Sequence, residues 1–362
     1  MSDVLIIGGG VIGLLTAREL RLAGAEVTLL ERGEPGRESS WAGGGIVSPL
    51  YPWRYADAVT ELASWSQRHY ASLCNELRHA TGIDTELEPS GLLIEAVGEE
   101  QVAAAWASAH RVQLEAVARD DVRSLEPGLG EPPDGALWLP DIAHVRNPRL
   151  VKALRADVEA RGVSVLAAHP VTGWQDQSDR ITAVETPHGR VAADIFVVCA
   201  GSWSGELLGP LGARPDIHPV KGQMILFRAA PGTVRTIHLA ADRYAIPRRD
   251  GRVLFGSTLE DTGFDKQTTD AAREELWRIA ATRFPALREA GLERHWAGLR
   301  PSSPSGIPYI GRHPTFANLF VNAGHFRNGI VLGPASARLL ADLVLGRAPI
   351  ADPGPYGLDA AR

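Results

Sequence analysis

The chain opens on a short apolar run, residues 4–7, closed by Gly8-Gly9-Gly10. Four apolar residues bounded by glycine predict a short buried strand. Beyond it, Ile12, Leu15, Glu19 and Leu22 fall at helical spacing on one mixed face, and Gly24 ends that helix. Residues 26–31 predict a second strand closed by Glu31. The next long helical pattern is 56–81, with Trp65, Tyr70, Leu73 and Leu77 at apolar positions. Residues 91–95 predict a strand, 99–110 a helix, and 137–140 a further extended piece. A helix from Asn147 to about Arg161, stopped by Gly162, leads to a strand at 163–166. Residues 181–185 and 189–191 pattern as a hairpin. Residues 194–198 form a buried strand that runs into Cys199-Ala200-Gly201.

The second half is richer in strands. Residues 220–227 are one, and 244–258 form a hairpin turning at Asp250-Gly251. Pro247 predicts an edge or interrupted strand there. A helix follows at 270–284, with Leu276, Ile279 and Ala280 inward. Extended stretches lie at 295–301, 308–312 and 319–322. The last helix is predicted from near Pro334, with Leu339, Leu340, Leu343 and Val344 buried and Gly346 as its stop.

The first of these elements carry chemistry. Gly8, Gly10 and Gly13 stand in G-x-G-x-x-G order between a strand and a helix, and Glu31 closes the next strand. That arrangement is the dinucleotide-binding fingerprint. Gly8 permits the tight turn, Gly10 admits a pyrophosphate to the backbone around Val11 and Ile12, and Gly13 lets helix and strand pack closely. The helix N-terminus adds partial positive charge. Glu31, with Arg32 beside it, can accept hydrogen bonds from ribose hydroxyls and repels a 2′-phosphate. The loop that follows, residues 33–45, is rich in glycine and serine. Ser39 and Ser40 can bond phosphate or ribitol, and Ala42, Gly43, Gly44 and Gly45 bring backbone close to a ligand. A second glycine-ended strand, at Ala200-Gly201, repeats the placement of a ligand at a strand's carboxyl end.

Composition narrows the class. The chain has 362 residues, which suggests two domains, with 44% hydrophobic and 22% charged residues. A net charge of −6 gives no reason to expect nucleic acid or an anionic membrane. The two cysteines, Cys74 and Cys199, form no C-x-x-C and read as buried thiols, so neither a metal cluster nor a redox dithiol is expected. No apolar stretch reaches the ~20 residues that span a bilayer, and the first apolar run lacks the basic flank of a signal peptide. A reduced, cytoplasmic enzyme is the expectation. One dinucleotide fingerprint leaves no obvious place for NADPH, so electrons come from the substrate.

The fingerprint, the strand ending at Gly201, residues 296–301 (Trp-Ala-Gly-Leu-Arg-Pro) and residues 324–330 (Gly-His-Phe-Arg-Asn-Gly-Ile) together resemble the D-amino-acid oxidase family of flavoproteins. The last two segments are most similar to its glycine-oxidising branch, which serves thiamine thiazole synthesis. The resemblance runs nearly end to end. It implies an α/β fold: a Rossmann-type FAD-binding domain assembled from residues 1–85, 147–218 and 298–362. A mainly antiparallel substrate domain is then inserted as 86–146 and 219–297. It implies FAD, oxygen as acceptor, a hand-over of product to a thiazole synthase, and a homo-oligomer; no cysteine or histidine sits in an attachment motif, so the flavin is expected to be non-covalent.

It also implies roles for particular residues. Arg300 is expected to clamp the substrate carboxylate, since a guanidinium forks onto it bidentately. Tyr244 is similar to a family tyrosine that bonds the same carboxylate, and Arg327 to a second site arginine near the amine and the flavin. Asn328, Gly329, Ile330, Val331 and Leu332 are expected along the flavin pyrimidine edge through backbone N–H groups. Val171 is expected at the adenine, with Ala200, Gly201 and Trp203 completing the cofactor wall. His325 reads equally as a base or as a structural residue, and hydride transfer from Cα to flavin N5 needs no base. Asp242 stands where a His occurs in some relatives and Leu259 where a Met occurs; both are expected near the substrate. The implied reaction is oxidation of glycine, sarcosine or a small D-amino acid to imine, then oxo acid and ammonia, with peroxide from oxygen. A dehydrogenase feeding a quinone and a non-catalytic flavin-binding protein are the alternatives.

Overall fold

The opening apolar run becomes the strand Asp3–Ile7 at the interior of a six-stranded sheet. The computed structural model describes residues 3–95 and 98–361. Across the sheet the strands are Tyr309–Arg312, Leu319–Ala323, Ile195–Val198, Asp3–Ile7, Glu26–Leu30 and Ser164–Leu166. All neighbours are parallel except the first pair. Val4 to Ile7 are at most 5% exposed because both faces are covered. Val4 and Ile6 face a core shared with the helices Val11–Leu22, Asp57–Thr81, Asn147–Ala160 and Gly329–Val344. Leu5 and Ile7 face the other way. There the three-stranded antiparallel sheet Gly173–Gln177, Arg180–Thr186 and Gly189–Ala192 packs through Trp174, Ile181 and Val184. Asp3–Ile7 has Glu26–Leu30 on one side and Ile195–Val198 on the other, so strand order reverses at its carboxyl end. That crevice is where open parallel sheets hold ligands.

The second sheet has eight strands. Their order is Gly291–Ser302, His218–Arg228, Arg252–Gly256, Arg243–Pro247, Ile237–Ala240, Leu92–Glu95, Gly135–Leu139 and Glu115–Ala118. Every pairing is antiparallel except that of Ile237–Ala240 with Leu92–Glu95. An α/β parallel sheet beside a mainly antiparallel one is the fold class the sequence predicts.

Several local expectations need correction. Arg243–Pro247 is an interior strand, and Pro247 is tolerated because it is the strand's last residue. The glycine and serine loop contains a one-turn helix, Ser39–Ala42. Glu31 lies one residue past the end of its strand. The last helix starts at Gly329, with Pro334 inside it. A proline there cannot donate to the carbonyl one turn back. The long helix Asp57–Thr81 fills the gap: the Tyr70 hydroxyl donates to the Ile330 carbonyl (2.9 Å) and Ser66 Oγ accepts the Ala335 N–H (3.0 Å). Both cysteines are buried thiols, as expected, and burial pushes Cys74 up to about 11 and Cys199 to about 12.

Candidate active site

A cavity of about 690 Å³ runs from the carboxyl end of the parallel sheet to the second sheet. At one end the wall is backbone. Gly8 has φ of +113°, and a Cβ there would stand 2.4 Å from the Cys199 carbonyl oxygen. A Cβ on Gly13 would stand 1.9 Å from the Gly8 oxygen, so Gly13 sits beneath the turn and outside the wall. Gly10 is the N-cap of Val11–Leu22 and brings no side-chain cap of its own. Ser40 supplies one from the loop, its Oγ accepting the Val11 N–H at 2.9 Å. Glu31 accepts the N–H groups of Gly9 (2.7 Å) and Gly33 (2.9 Å), which pins the turn to the loop. A carboxylate has further lone pairs for ribose hydroxyls. Arg32 lies flat on Trp203, 3.4 Å from its ring centroid, and donates to Glu38.

The expected cofactor residues converge here. Gly8, Gly10, Val11, Ile12, Glu31 and Arg32 line the cavity, as do Ser39, Ser40 and Ala42 to Gly45. Val171, Ala200, Gly201, Trp203, Gly329 and Ile330 complete that set. Asn328, Val331 and Leu332 do not line it. The Leu332 N–H is spent on the Asn328 carbonyl at 2.8 Å, and Val331 and Leu332 are fully buried in the helical core. The helix begins at Gly329, so the N–H groups of its first turn, Val331 included, have no partner within the helix.

At the other end the wall is built from side chains on paired strands. Gly222 pairs with Gly298 and Val220 with Arg300. The Arg300 guanidinium therefore lies over Gly222, where a Cβ would come within 2.2 Å of its Nη2. Arg300 donates to the Ser257 hydroxyl and to the Thr258 carbonyl (3.3 Å). Burial pulls its pKa down, the adjacent Tyr244 pushes it up, and the like charge of Arg327 pulls it down again. Met224, Gly256 and Tyr244 are cross-strand neighbours in one row. With no side chain at Gly256, the Tyr244 hydroxyl reaches Met224 Sδ at 3.8 Å. Among the described residues Arg327 makes no ion pair or hydrogen bond, and it is half-buried in the cavity wall. His325 is buried, its Nε2 on Ser336 Oγ at 2.9 Å. Ser336 in turn donates to the Leu332 carbonyl, so Nε2 carries the proton. Burial lowers its pKa to about 3, which keeps the ring neutral where it meets the cavity.

Asp242 and Leu259 are not in the wall, and Leu259 is 60% exposed. Sequence reasoning missed Ile46, Ser48, Leu50, Gly222 and Met224, which are in it. A glycine inside the apolar strand at 222, followed two residues later by Met224 on the same face, was the available signal.

The residues present fit a dinucleotide: a glycine turn that no Cβ could enter, two helix N-termini, and Asn322 in the wall with its buried Oδ1 unpartnered. A dinucleotide turn at one end of the cavity and two guanidiniums at the other fit an oxidoreductase. The family described as DAO, FAD dependent oxidoreductase, matches residues 3–343. A glycine oxidase of Pseudomonas aeruginosa is 51% identical over 358 residues, 98% of each chain. The bifunctional protein ThiO/ThiG of Synechocystis is 35% identical over 95% of this chain and 52% of its own length. The crystal structure of glycine oxidase from Geobacillus kaustophilus superposes with a TM-score of 0.95 over 100% of both chains, at 29% identity. The chain belongs to the DAO family of FAD-dependent oxidoreductases. It is an FAD-dependent amino-acid oxidase, with FAD as cofactor and oxygen as acceptor. No helix among the described residues is long and apolar enough to cross a membrane.

Proposed function

We propose that this chain oxidises glycine, and with it sarcosine and D-alanine, to the imine, which water converts to oxo acid and ammonia, or methylamine from sarcosine. The observation that carries this reading is the Arg300 guanidinium, set over Gly222 in an otherwise largely apolar pocket and held by neutral acceptors alone. Nη1 and Nη2 each keep a second N–H for the two oxygens of a carboxylate. Tyr244 stands beside it to donate a further hydrogen bond, and Arg327 lies across the wall. Two guanidiniums disfavour a protonated amine nearby, so the substrate nitrogen reacts neutral and its lone pair drives loss of hydride from Cα. His325 donates its proton to Ser336 and takes no part as a base. Met224, Leu50 and Ile46 close the pocket and favour a hydrogen or methyl side chain. FAD held against this wall would supply the hydride acceptor and the two electrons that reduce oxygen to peroxide.

The same reading gives residues 1–85, 147–218 and 298–362 to a cofactor domain and 86–146 and 219–297 to a substrate domain. Gly8, Gly10, Gly13, Glu31 and Ser40 then serve the pyrophosphate and ribose, and Gly329 and Ile330 the flavin. The names of the ThiO/ThiG relatives support a place in thiamine synthesis, with the imine handed to a thiazole synthase. The test is peroxide release from FAD-loaded protein given glycine, sarcosine, D-alanine or L-alanine. Turnover of the first three and not L-alanine is expected. Silence with glycine and sarcosine overturns the substrate assignment.

A further inference from the structure

We propose that Glu260, paired with the buried Lys221, is a positioning residue for Arg300 and acts on it through Thr258. The proposal rests on the reading of Arg300 as the carboxylate clamp. Arg300 forms no ion pair among the described residues, and the groups that hold it, Ser257 Oγ and the Thr258 carbonyl, are neutral. Both belong to the segment joining Arg252–Gly256 to the helix Asp270–Arg283. What fixes that segment is a charged network on the neighbouring strand. The Thr258 hydroxyl accepts the Gln223 N–H at 2.8 Å and donates to Glu260 Oε1. The Thr258 N–H donates to the Gln223 carbonyl at 3.2 Å. Glu260 Oε1 also accepts Gln223 Nε2 at 2.9 Å, and its Oε2 lies 3.1 Å from Lys221 Nζ. Lys221 is 2% exposed, and its backbone exchanges two hydrogen bonds with that of Glu260, at 2.9 and 3.0 Å.

Strand geometry separates this network from the substrate. Lys221 and Gln223 alternate with Gly222 and Met224, the two residues of this strand that line the cavity. Glu260 is thus a carboxylate near enough to favour the charge on Arg300 but not joined to it. Burial opposes the Glu260 charge, and Thr258, Gln223 and Lys221 outweigh it, holding its carboxyl below the ordinary range. A direct carboxylate partner would fill the Arg300 fork and compete with substrate. A relayed one orients the guanidinium and leaves the fork open.

The experiment is the affinity of acetate, a bare carboxylate, for the FAD-loaded enzyme, read from the flavin spectrum and as competition with glycine. In Thr258→Val and Glu260→Ala the acetate Kd should rise about tenfold, the loss of one hydrogen bond in a charged network. Thr258→Ser should restore it. The rise should appear in KM for glycine more than in kcat, while FAD affinity stays within about twofold, a split that general loosening of the fold does not produce. If Glu260→Ala folds poorly because Lys221 keeps only the Gln267 carbonyl (3.3 Å) as partner, the double variant Lys221→Met/Glu260→Met removes both charges and should show the same weakened acetate binding. Wild-type acetate affinity in the Thr258→Val and double variants, with Arg300→Ala having lost it, overturns the proposal. Wild-type affinity in Arg300→Ala overturns the clamp reading itself.

Discussion

The two ends of the cavity are made in different ways. At the parallel sheet the ligand wall is backbone, and its shape depends on what is missing: no Cβ at Gly8, Gly10 or Gly13. At the antiparallel sheet the wall is side chains, and their placement depends on register between strands far apart in sequence. Glycine recurs at the second end with a different purpose. Gly222 makes a seat for Arg300, and Gly256 clears a path between Met224 and Tyr244. Backbone recognition tolerates no added atom, whereas side-chain recognition can give by a rotamer. The two ends should therefore fail differently.

The largest effect is expected at the first end. Gly13→Ala sets a methyl against the Gly8 carbonyl oxygen, so the turn must open. The cost should exceed the ~3 kcal/mol of ordinary overpacking, more than about 100-fold in FAD affinity. The flavin-to-protein absorbance ratio after purification reads it directly. A fully flavinated Gly13→Ala protein would remove the distinction between the ends. Next comes Arg300→Ala, which leaves the substrate carboxylate without its charged partner at a cost of about 3–5 kcal/mol. kcat/KM for glycine should fall by about two to four orders of magnitude, with flavin content intact.

Gly222→Ala sharpens the contrast. Its methyl meets the far end of a flexible side chain, not backbone, so the guanidinium shifts and the strand stays. KM for glycine should rise about tenfold, or ~1.4 kcal/mol, with FAD retained. Loss of FAD in this variant would mean that the two ends are not separable. The last effect concerns His325, at the junction of the two, and reaches stability rather than either ligand. Its pKa is about 3 in the fold against 6.5 unfolded. Below pH 6.5 the unfolded chain takes up a proton that the folded chain refuses, so stability is full above 6.5 and falls as pH drops toward 3. The slope is about 1.4 kcal/mol per pH unit, or about 2 kcal/mol at pH 5. His325→Asn should lose less Tm between pH 7.5 and pH 5 than the wild type does. His144, lowered to about 2 by burial and Arg248, keeps its own share of the slope in both proteins. An unchanged pH dependence would show that His325 is not buried neutral.

What could be read from the sequence follows the same division. The glycine turn, its helix and Glu31 are contiguous, and each residue's task is fixed by neighbours within one strand–helix–strand unit. Arg300, Tyr244 and Arg327 were recognisable from flanking motifs, but the seat beneath Arg300 was not. Gly222 acquires its role only when its strand pairs with Gly291–Ser302. Leu259 shows the converse, since the resemblance places it near the substrate while the segment carrying it turns the side chain out to solvent. The start of the last helix is hidden in the sequence for a related reason. Pro334 breaks a helix locally, and the hydroxyls of Ser66 and Tyr70, which compensate for it, come from elsewhere in the chain.

The most direct test of the account is anaerobic mixing of glycine with FAD-loaded wild-type and Arg300→Ala proteins of equal flavin content. The account predicts rapid bleaching of the wild-type flavin and a rate at low glycine at least about 100-fold slower in the variant. Equal bleaching in the two proteins would contradict it, because the carboxylate would then be held by some group other than Arg300.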